Sequence, residues 1–286
     1  MRRARIRRKN LIRWWGGKGN ILHFLLQYIP PHKKYIELFG GGAALLWAKK
    51  PAQLEVYNDI DGDLVNLFRV VQDEKLFPIF LHKVKWTVCS RELFYRCKRS
   101  YKYHTSPVER AYRFYIKQVM SWGGRGLYFA TYIKPDTGTS IKALFNKAQE
   151  FEFFHKRLQN VVIENLDWRE CLEIHDIGKD CFIMMDPPYV KESRVEKTKA
   201  YKQDMSDEEH EELVDWLLNT VKGKVMLCGY RNKIYERLER NGLKRIDFET
   251  PLWGAPTKGE NPKEKVERRK VKESIWINYK LNNLLI

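Results

Sequence analysis

Cys181-Phe182-Ile183-Met184-Met185-Asp186-Pro187-Pro188-Tyr189 is the stretch that decides the fold. Its first five residues form an unbroken apolar run, the length of a strand buried on both faces in a parallel sheet. Two consecutive prolines bring no N–H to a ladder, so the strand must end there. Asp186-Pro187-Pro188-Tyr189 therefore stands at the carboxyl edge of a sheet, where open α/β folds bind their ligands. The tetrapeptide offers a carboxylate, a rigid turn with free carbonyls and an aromatic face. That set suits a planar base carrying an amino group. An ordinary strand-ending turn is the alternative, and the segments around it speak against that reading.

Toward the N-terminus, residues 35–38 read as a strand, Gly40-Gly41-Gly42 as a tight turn and 43–49 as a helix. A second strand, 54–57, ends in Asn58-Asp59-Ile60-Asp61. The helix predicted over 62–72 places Leu64, Leu67, Phe68 and Val71 on one face. Strand, helix, strand, helix over so few residues is what a parallel sheet requires. Alternation resumes with strands at 161–164, 181–185, 225–228, 245–249 and 274–279. An acidic helix, capped by Ser206 with Glu209, reaches about residue 220.

The middle reads differently. Residues 73–160 are mostly helical, aromatic and basic. Ser106, Pro107 and Glu109 mark one helix start, and another helix is predicted over 147–159. Trp122-Gly123-Gly124-Arg125-Gly126 and the polar stretch after it suggest a glycine-rich loop with a hairpin. The polar, basic segment 253–272 reads as a loop. The expected division is a catalytic domain of 1–72 and 160–286, interrupted by a target-recognition domain of 73–159.

Composition narrows the partners. The chain has 286 residues, 43% of them hydrophobic, so a proper core can form. Lys and Arg number 53 against 36 Asp and Glu, a net charge of +17. Such an excess suits a polyanion, and nucleic acid better than a membrane. No apolar run reaches the length of a spanning helix. The basic N-terminus (Arg2 to Lys9) leads into Trp14-Trp15-Gly16-Gly17 rather than a signal-peptide core. It serves either as a solvated tail or as phosphate contacts. The five cysteines are scattered without C-x-x-C spacing, and the seven histidines show no ligand spacing, so neither metal nor disulfide is expected. Reduced thiols in a cytoplasmic protein are the expectation, with His210 at the surface.

Glycines after a strand let backbone approach a ligand closely. The spacing of Gly40, Gly41 and Gly42 is not the G-x-G-x-x-G of a pyrophosphate site. Glu37 precedes them, which suits a cationic ligand. S-adenosyl-L-methionine, with a sulfonium and an ammonium, fits. Asp59, at the end of the next strand, is placed to accept from both ribose hydroxyls. Lys18 is a candidate for the cofactor carboxylate or a phosphate, and Trp14 and Trp15 for core packing, cofactor contact or both.

Taken together, these residues closely resemble the Dam-type (class D12) DNA adenine-N6 methyltransferases. The resemblance rests on Trp14 to Lys18, then Glu37-Leu38-Phe39-Gly40-Gly41-Gly42, then Asn58-Asp59-Ile60, then Asp186-Pro187-Pro188-Tyr189, in the family's order. It covers roughly residues 10–70 and 160–230. Asp167-Trp168 matches the family's adenine-contacting position more loosely. Ala43 stands where the family has a further glycine, and the loop at 122–140 does not align residue by residue.

The resemblance implies an α/β methyltransferase fold, a mostly parallel seven-stranded sheet with helices on both faces and an inserted helical target-recognition domain. It implies S-adenosyl-L-methionine as cofactor and N6-methyladenine in double-stranded DNA as product, in a bacterial, archaeal or phage-infected cell. The implied site is Asp186, Pro187, Pro188 and Tyr189 for catalysis. Trp14, Lys18, Glu37, Phe39, Gly40, Gly41, Gly42, Asp59, Asp167, Trp168 and Asp186 would hold the cofactor. Trp122, Arg125, Lys134, Lys265, Arg268 and Arg269 are the candidates for DNA. The target base must leave the duplex to be reached. A monomer is expected, and a cognate restriction endonuclease is left open. Cytosine-N4 or RNA-base methylation on the same fold, or an inactive DNA-binding protein, are the alternatives.

Overall fold

The computed structural model describes residues 9–12, 14, 16–100, 102, 106–130, 140–194, 203–251 and 270–281. Chain order runs α1 (Leu22–Leu25), β1 (Lys34–Glu37), α2 (Ala44–Ala48), β2 (Leu54–Asn58) and α3 (Gly62–Gln72). Four helices follow without a strand between them: α4 (Leu76–Lys85), α5 (Arg91–Ser100), α6 (Pro107–Val119) and α7 (Ser140–Leu158). Then come β3 (Val161–Glu164), α8 (Trp168–His175), β4 (Cys181–Met185), α9 (Asp207–Asn219), β5 (Lys224–Gly229), α10 (Glu236–Arg240), β6 (Lys244–Pro251) and β7 (Lys270–Ile277).

The strands make one seven-stranded sheet in the order β3-β2-β1-β4-β5-β7-β6. The pairs from β3 through β5 are parallel, and β7 runs antiparallel to both β5 and β6. The chain therefore winds outward from β1 in one direction and from β4 in the other. The gap between their carboxyl ends is the topological switch point, where such sheets bind ligands.

Strand period two sorts the apolar residues onto two faces. Tyr35, Tyr57, Phe182 and Met184 pack against α1 to α7. Ile36, Val56, Ile183 and Met185 pack against α8, α9 and α10. Both faces are covered, which is why Cys181 to Met185 carries no polar residue. On the first face Tyr57 stacks on Phe68 of α3, with centroids 4.1 Å apart and planes 9° from parallel. Burying a phenylalanine such as Phe68 contributes about 1.5–3 kcal/mol.

Helices α4 to α7 share that first core: Phe80, Phe94, Phe114, Tyr115, Phe151 and Phe154 are buried with Trp47 and Phe68. Polar ties reinforce the packing. Gln72 Nε2 donates to the carbonyls of Leu158 and Val161, closing the end of α7. Arg110 of α6 pairs with Asp63 of α3. Beneath the sheet edge, Glu55 of β2 lies between Lys49 and Arg157 of α7, all three side chains nearly fully buried. Arg157 also donates to the Leu46 carbonyl.

Expected caps are present. Ser106 accepts from the Glu109 amide ahead of Pro107, and Ser206 with Glu209 forms a reciprocal capping box. Three expectations shift. Helix α7 begins at Ser140 rather than 147, and β7 begins at Lys270 rather than 274. His210 is not a surface residue: it is wholly buried, its Nδ1 2.9 Å from the Tyr235 hydroxyl. Its neighbours are acidic, but its own place on α9 faces the sheet. Burial pushes its pKa down to about 4. Among the described residues no helix is long and apolar enough to cross a membrane.

Candidate active site

Register places the site. Glu37 at the end of β1 is level with Tyr57 on β2 and with Met184 on β4. Two residues further on, Asp59 and Asp186 emerge from those neighbours. A cleft opens there, lined by Trp14, Lys18, Glu37, Phe39, the turn Gly40 to Gly42, Asp59, Met184, Asp186 and Pro188.

The β1 end of the cleft is built from backbone. Gly40 donates to the Asn58 carbonyl at 2.7 Å, and Tyr57 Oη donates to the Gly41 carbonyl at 2.8 Å. A Cβ on Gly40 would sit 2.2 Å from the Tyr57 ring, and one on Gly41 2.7 Å from Trp14. Gly41 also has φ +48°, a left-handed value that favours glycine. Ala43, where the resemblance expected a glycine, has φ +54° and caps α2. The position keeps the conformation of a glycine and bears the strain of a Cβ, of order 1 kcal/mol.

Glu37 is buried. Its Oε2 accepts from Tyr35 Oη at 3.0 Å and from the Leu46 amide at 2.9 Å. Burial outweighs these bonds and raises its pKa to about 7. Asp59 accepts from the Gly41 amide at 2.8 Å and the Asp61 amide at 2.7 Å, one bond to each oxygen.

The β4 end is built from side chains. Lys18 Nζ lies 2.7 Å from Asp186 Oδ1, donates to the Gly16 carbonyl and stands 4.7 Å from the centre of the Tyr189 ring. Burial raises the pKa of Asp186, opposed by Lys18. Tyr189 is buried, donates from Oη to Glu273 Oε2 at 3.0 Å and meets Tyr230 edge to face.

The structure thus gathers Trp14, Lys18, Glu37, Phe39, Gly40, Gly41, Gly42, Asp59 and Asp186 around one cleft, with Tyr189 beside it. Asp167 and Trp168 do not line it. Asp167 caps α8, and Trp168 is buried on the far face against Trp216. The lining also includes Ile60, Asp61 and Gln203. The first two follow Asp59 directly and share its signal. Gln203 arrives from 14 residues beyond Tyr189 with no motif around it.

Away from the cleft, Ser121 bridges Phe129 in antiparallel fashion, with further bonds from Trp122 N to Tyr128 O and from Ala130 N to Met120 O. Gly123, Gly124 and Gly126 take positive φ inside this small hairpin. Trp122, Leu127 and Tyr128 are exposed on it. Lys98 of α5 donates to the Leu127 carbonyl at 2.7 Å. Trp15, Lys134, Lys265, Arg268 and Arg269 lie outside the described residues.

The chain matches the family model described as D12 class N6 adenine-specific DNA methyltransferase over residues 14–248. It is 25% identical over 194 residues to the DNA adenine methylase of Haemophilus influenzae, covering 65% of this chain and 66% of that one. It is 24% identical over 185 residues to the retron Ec67 DNA adenine methylase of Escherichia coli, covering 63% of each. The matched stretch is just under two thirds of the length of these two relatives. A third relative, the type II methyltransferase M1.LlaDCHI of Lactococcus lactis subsp. cremoris, is 24% identical over 219 residues, 70% of this chain and 72% of that one.

Proposed function

Since this chain belongs to the D12 class of N6 adenine-specific DNA methyltransferases, we propose that the cleft holds S-adenosyl-L-methionine and that the turn at Asp186 presents adenine N6 to it. The observation that carries the reading is the juxtaposition, on adjacent parallel strands, of a glycine-lined backbone cradle and Asp186-Pro187-Pro188-Tyr189.

The residues fit the cofactor. The cradle keeps side chains off the backbone at Gly40 and Gly41, where a Cβ has no room. The lining carboxylates Glu37, Asp59, Asp61 and Asp186 suit a cationic ligand and would repel a pyrophosphate. Asp59, at the end of the strand beside the cradle, would accept from the ribose hydroxyls, and Glu37 would face the ammonium. Phe39, Ile60 and Met184 supply apolar wall. When bound, S-adenosyl-L-methionine supplies an electrophilic methyl group on a sulfonium.

Adenine N6 is a poor nucleophile because its lone pair is delocalised into the ring. Asp186 and the Pro187 carbonyl accept its two N–H bonds and draw the nitrogen toward tetrahedral geometry. This is positioning and electrostatic catalysis. Lys18 occupies Asp186 Oδ1, which leaves Oδ2 for the amine. Its ammonium also favours the ionised carboxylate against the effect of burial. Tyr189 stacks on the base, offsetting about 1–3 kcal/mol of the cost of flipping it. The N6 proton is acidic after transfer and leaves to solvent without a dedicated strong base.

The helices of 73–159 and the hairpin 121–130 are the proposed DNA-reading part. Arg125 is the candidate for guanine in the major groove and Trp122 for contact beside it. The basic surface supplies salt-sensitive affinity for phosphates. The similarity to a type II methyltransferase supports a modification role beside a cognate endonuclease.

Methyl transfer from labelled cofactor to unmethylated DNA, followed by nucleoside mass spectrometry, tests this. N6-methyladenine from the wild type, and none from Asp186→Ala, is expected. N4-methylcytosine, or methylation of RNA alone, would replace the reading. A protein that binds DNA but no cofactor would overturn it.

A further inference from the structure

Arg194 closes a contact set that the mechanism above does not use. Its Nε donates to the Tyr189 carbonyl at 2.6 Å. Its two terminal nitrogens grip the Asp204 carboxylate in a fork, Nη1 to Oδ2 at 3.0 Å and Nη2 to Oδ1. Both side chains are nearly buried, 8% and 12% exposed. Burial pushes the Asp204 pKa up, but the Arg194 guanidinium overcomes this and holds it below the usual carboxylate range.

The location gives the contact meaning. Pro187 and Pro188 carry no N–H, so the middle of the turn can be gripped only by its carbonyls and side chains. Tyr189 is fixed at its hydroxyl by Glu273. The backbone end of the same residue is fixed by Arg194. A short turn over Lys191–Ser193 folds Arg194 back onto the tyrosine, with Ser193 donating twice to the Val190 carbonyl. On the other side Asp204 stands between Gln203, which lines the cleft, and buried Met205 at the start of the α9 capping box. One guanidinium thus joins the end of the adenine turn to the point where the chain returns to the cleft.

We propose that Arg194, locked by Asp204, is a positioning residue that sets the height and tilt of Tyr189 and Pro187 for the flipped adenine. This deepens the methyltransferase reading and rests on it. A guanidinium reaches three acceptors in one plane, whereas an ammonium at the same place is a point charge that reaches one or two. Arg194→Lys keeps the charge pair and loses the third contact. Displacing a positioned group by about 1 Å is enough to cost on the order of a hundredfold in rate.

The experiment compares the full chain with Arg194→Lys and Asp204→Asn. Readouts are single-turnover methyl transfer, KM for cofactor and DNA, thermal unfolding, and fluorescence of 2-aminopurine at the target base of a bound duplex. Arg194→Lys is expected to lower the transfer rate about ten- to a hundredfold. Its cofactor KM should stay within about threefold and its unfolding remain cooperative. The 2-aminopurine signal should change because the base no longer stacks squarely on Tyr189. Asp204→Asn should show a smaller loss in the same direction, since the Nε bond to Tyr189 survives. A wild-type rate in folded Arg194→Lys overturns the proposal, as does a lowered melting temperature with unchanged kinetics. If Arg194→Lys fails to fold, an unchanged rate and fluorescence in Asp204→Asn overturn it. A wild type that transfers no methyl group sinks the functional reading instead, and the fluorescence comparison still tests the clamp.

Discussion

The carboxyl ends of β1 and β4 are neighbours in one sheet, yet they are built on opposite principles. After β1 the chain makes its site from backbone. Glycines stand where Tyr57 and Trp14 leave no room for a Cβ, and the turn is locked through its main chain, by Gly40 N–H on the Asn58 carbonyl and by the Tyr57 hydroxyl on the Gly41 carbonyl. After β4 the prolines remove main-chain donors, and side chains do the holding: Lys18 on Asp186, Glu273 and Arg194 on Tyr189. A backbone cradle suits a ligand that is the same in every turnover. Side-chain contacts can be shared with a base that enters and leaves. On the proposed function, the difference separates a cofactor half held by main chain from a substrate half held by side chains.

The sharpest way to break this contrast is Asp186→Ala. It should lower the transfer rate about a hundred- to a thousandfold, with a much smaller loss of cofactor affinity, read by calorimetry, since Glu37, Asp59 and the glycine turn remain. Equal loss of both would merge the two halves. Gly40→Ala is the reverse test. The Tyr57 ring is held between Gly40 and Phe68 and cannot move aside. Overpacking there should cost about 1–3 kcal/mol of stability and weaken cofactor binding at least about tenfold.

Lys18→Met sharpens the picture of the β4 end. Burial raises the Asp186 pKa and Lys18 opposes it, so removing the ammonium should move the acid limb of the pH–rate profile to higher pH. A profile that does not move would show that Lys18 is no partner of the active carboxylate. A subtler effect is expected at Glu37, whose pKa is raised from 4.5 to about 7. Its neutral form is favoured in the fold, so the stability it contributes is present below about pH 4.5 and is lost as pH rises through 7. Glu37→Gln keeps an acceptor for Tyr35 and Leu46. It should melt higher than wild type at pH 8 and close to it at pH 5. The smallest effect is expected from Tyr189→Phe, which removes the bond to Glu273 and keeps the stacking face. It should cost about 1 kcal/mol of stability and less than about threefold in rate.

What could be read from sequence follows the same division. Strands 35–38, 54–57 and 181–185 were legible because both faces are buried and their ends carry glycine, acid or proline. The helix at 62–72 was legible to the residue, since Asp61 caps it and its apolar face is periodic. Lys18 was legible as a site residue but not as the partner of Asp186, which is 168 positions away. Gln203, Arg194 and Asp204 gave no signal, because a single polar residue in a polar stretch looks solvated until its partners are known. His210 misled for the same reason: five acidic neighbours in sequence, Asp207 to Glu209 and Glu211 to Glu212, say nothing of the Tyr235 hydroxyl that meets it in space.

The buried cluster of Lys49, Glu55 and Arg157 constrains how this architecture can be recombined. Glu55 belongs to the sheet and Arg157 to α7, the last helix of the 73–159 segment, so the Arg157 guanidinium keeps its buried carboxylate partner only when both come from the same parent. A chimaera that grafts the 73–159 segment onto a sheet lacking a carboxylate at the position of Glu55 would leave the Arg157 guanidinium unpaired in the interior, a loss of about 3–5 kcal/mol. On the proposal that this segment reads DNA, exchanging the hairpin at 121–130, which carries exposed Trp122, Leu127 and Tyr128, disturbs the buried cluster less than swapping the helical segment whole. The joint that makes the two parts one body also makes the larger part a poor cassette.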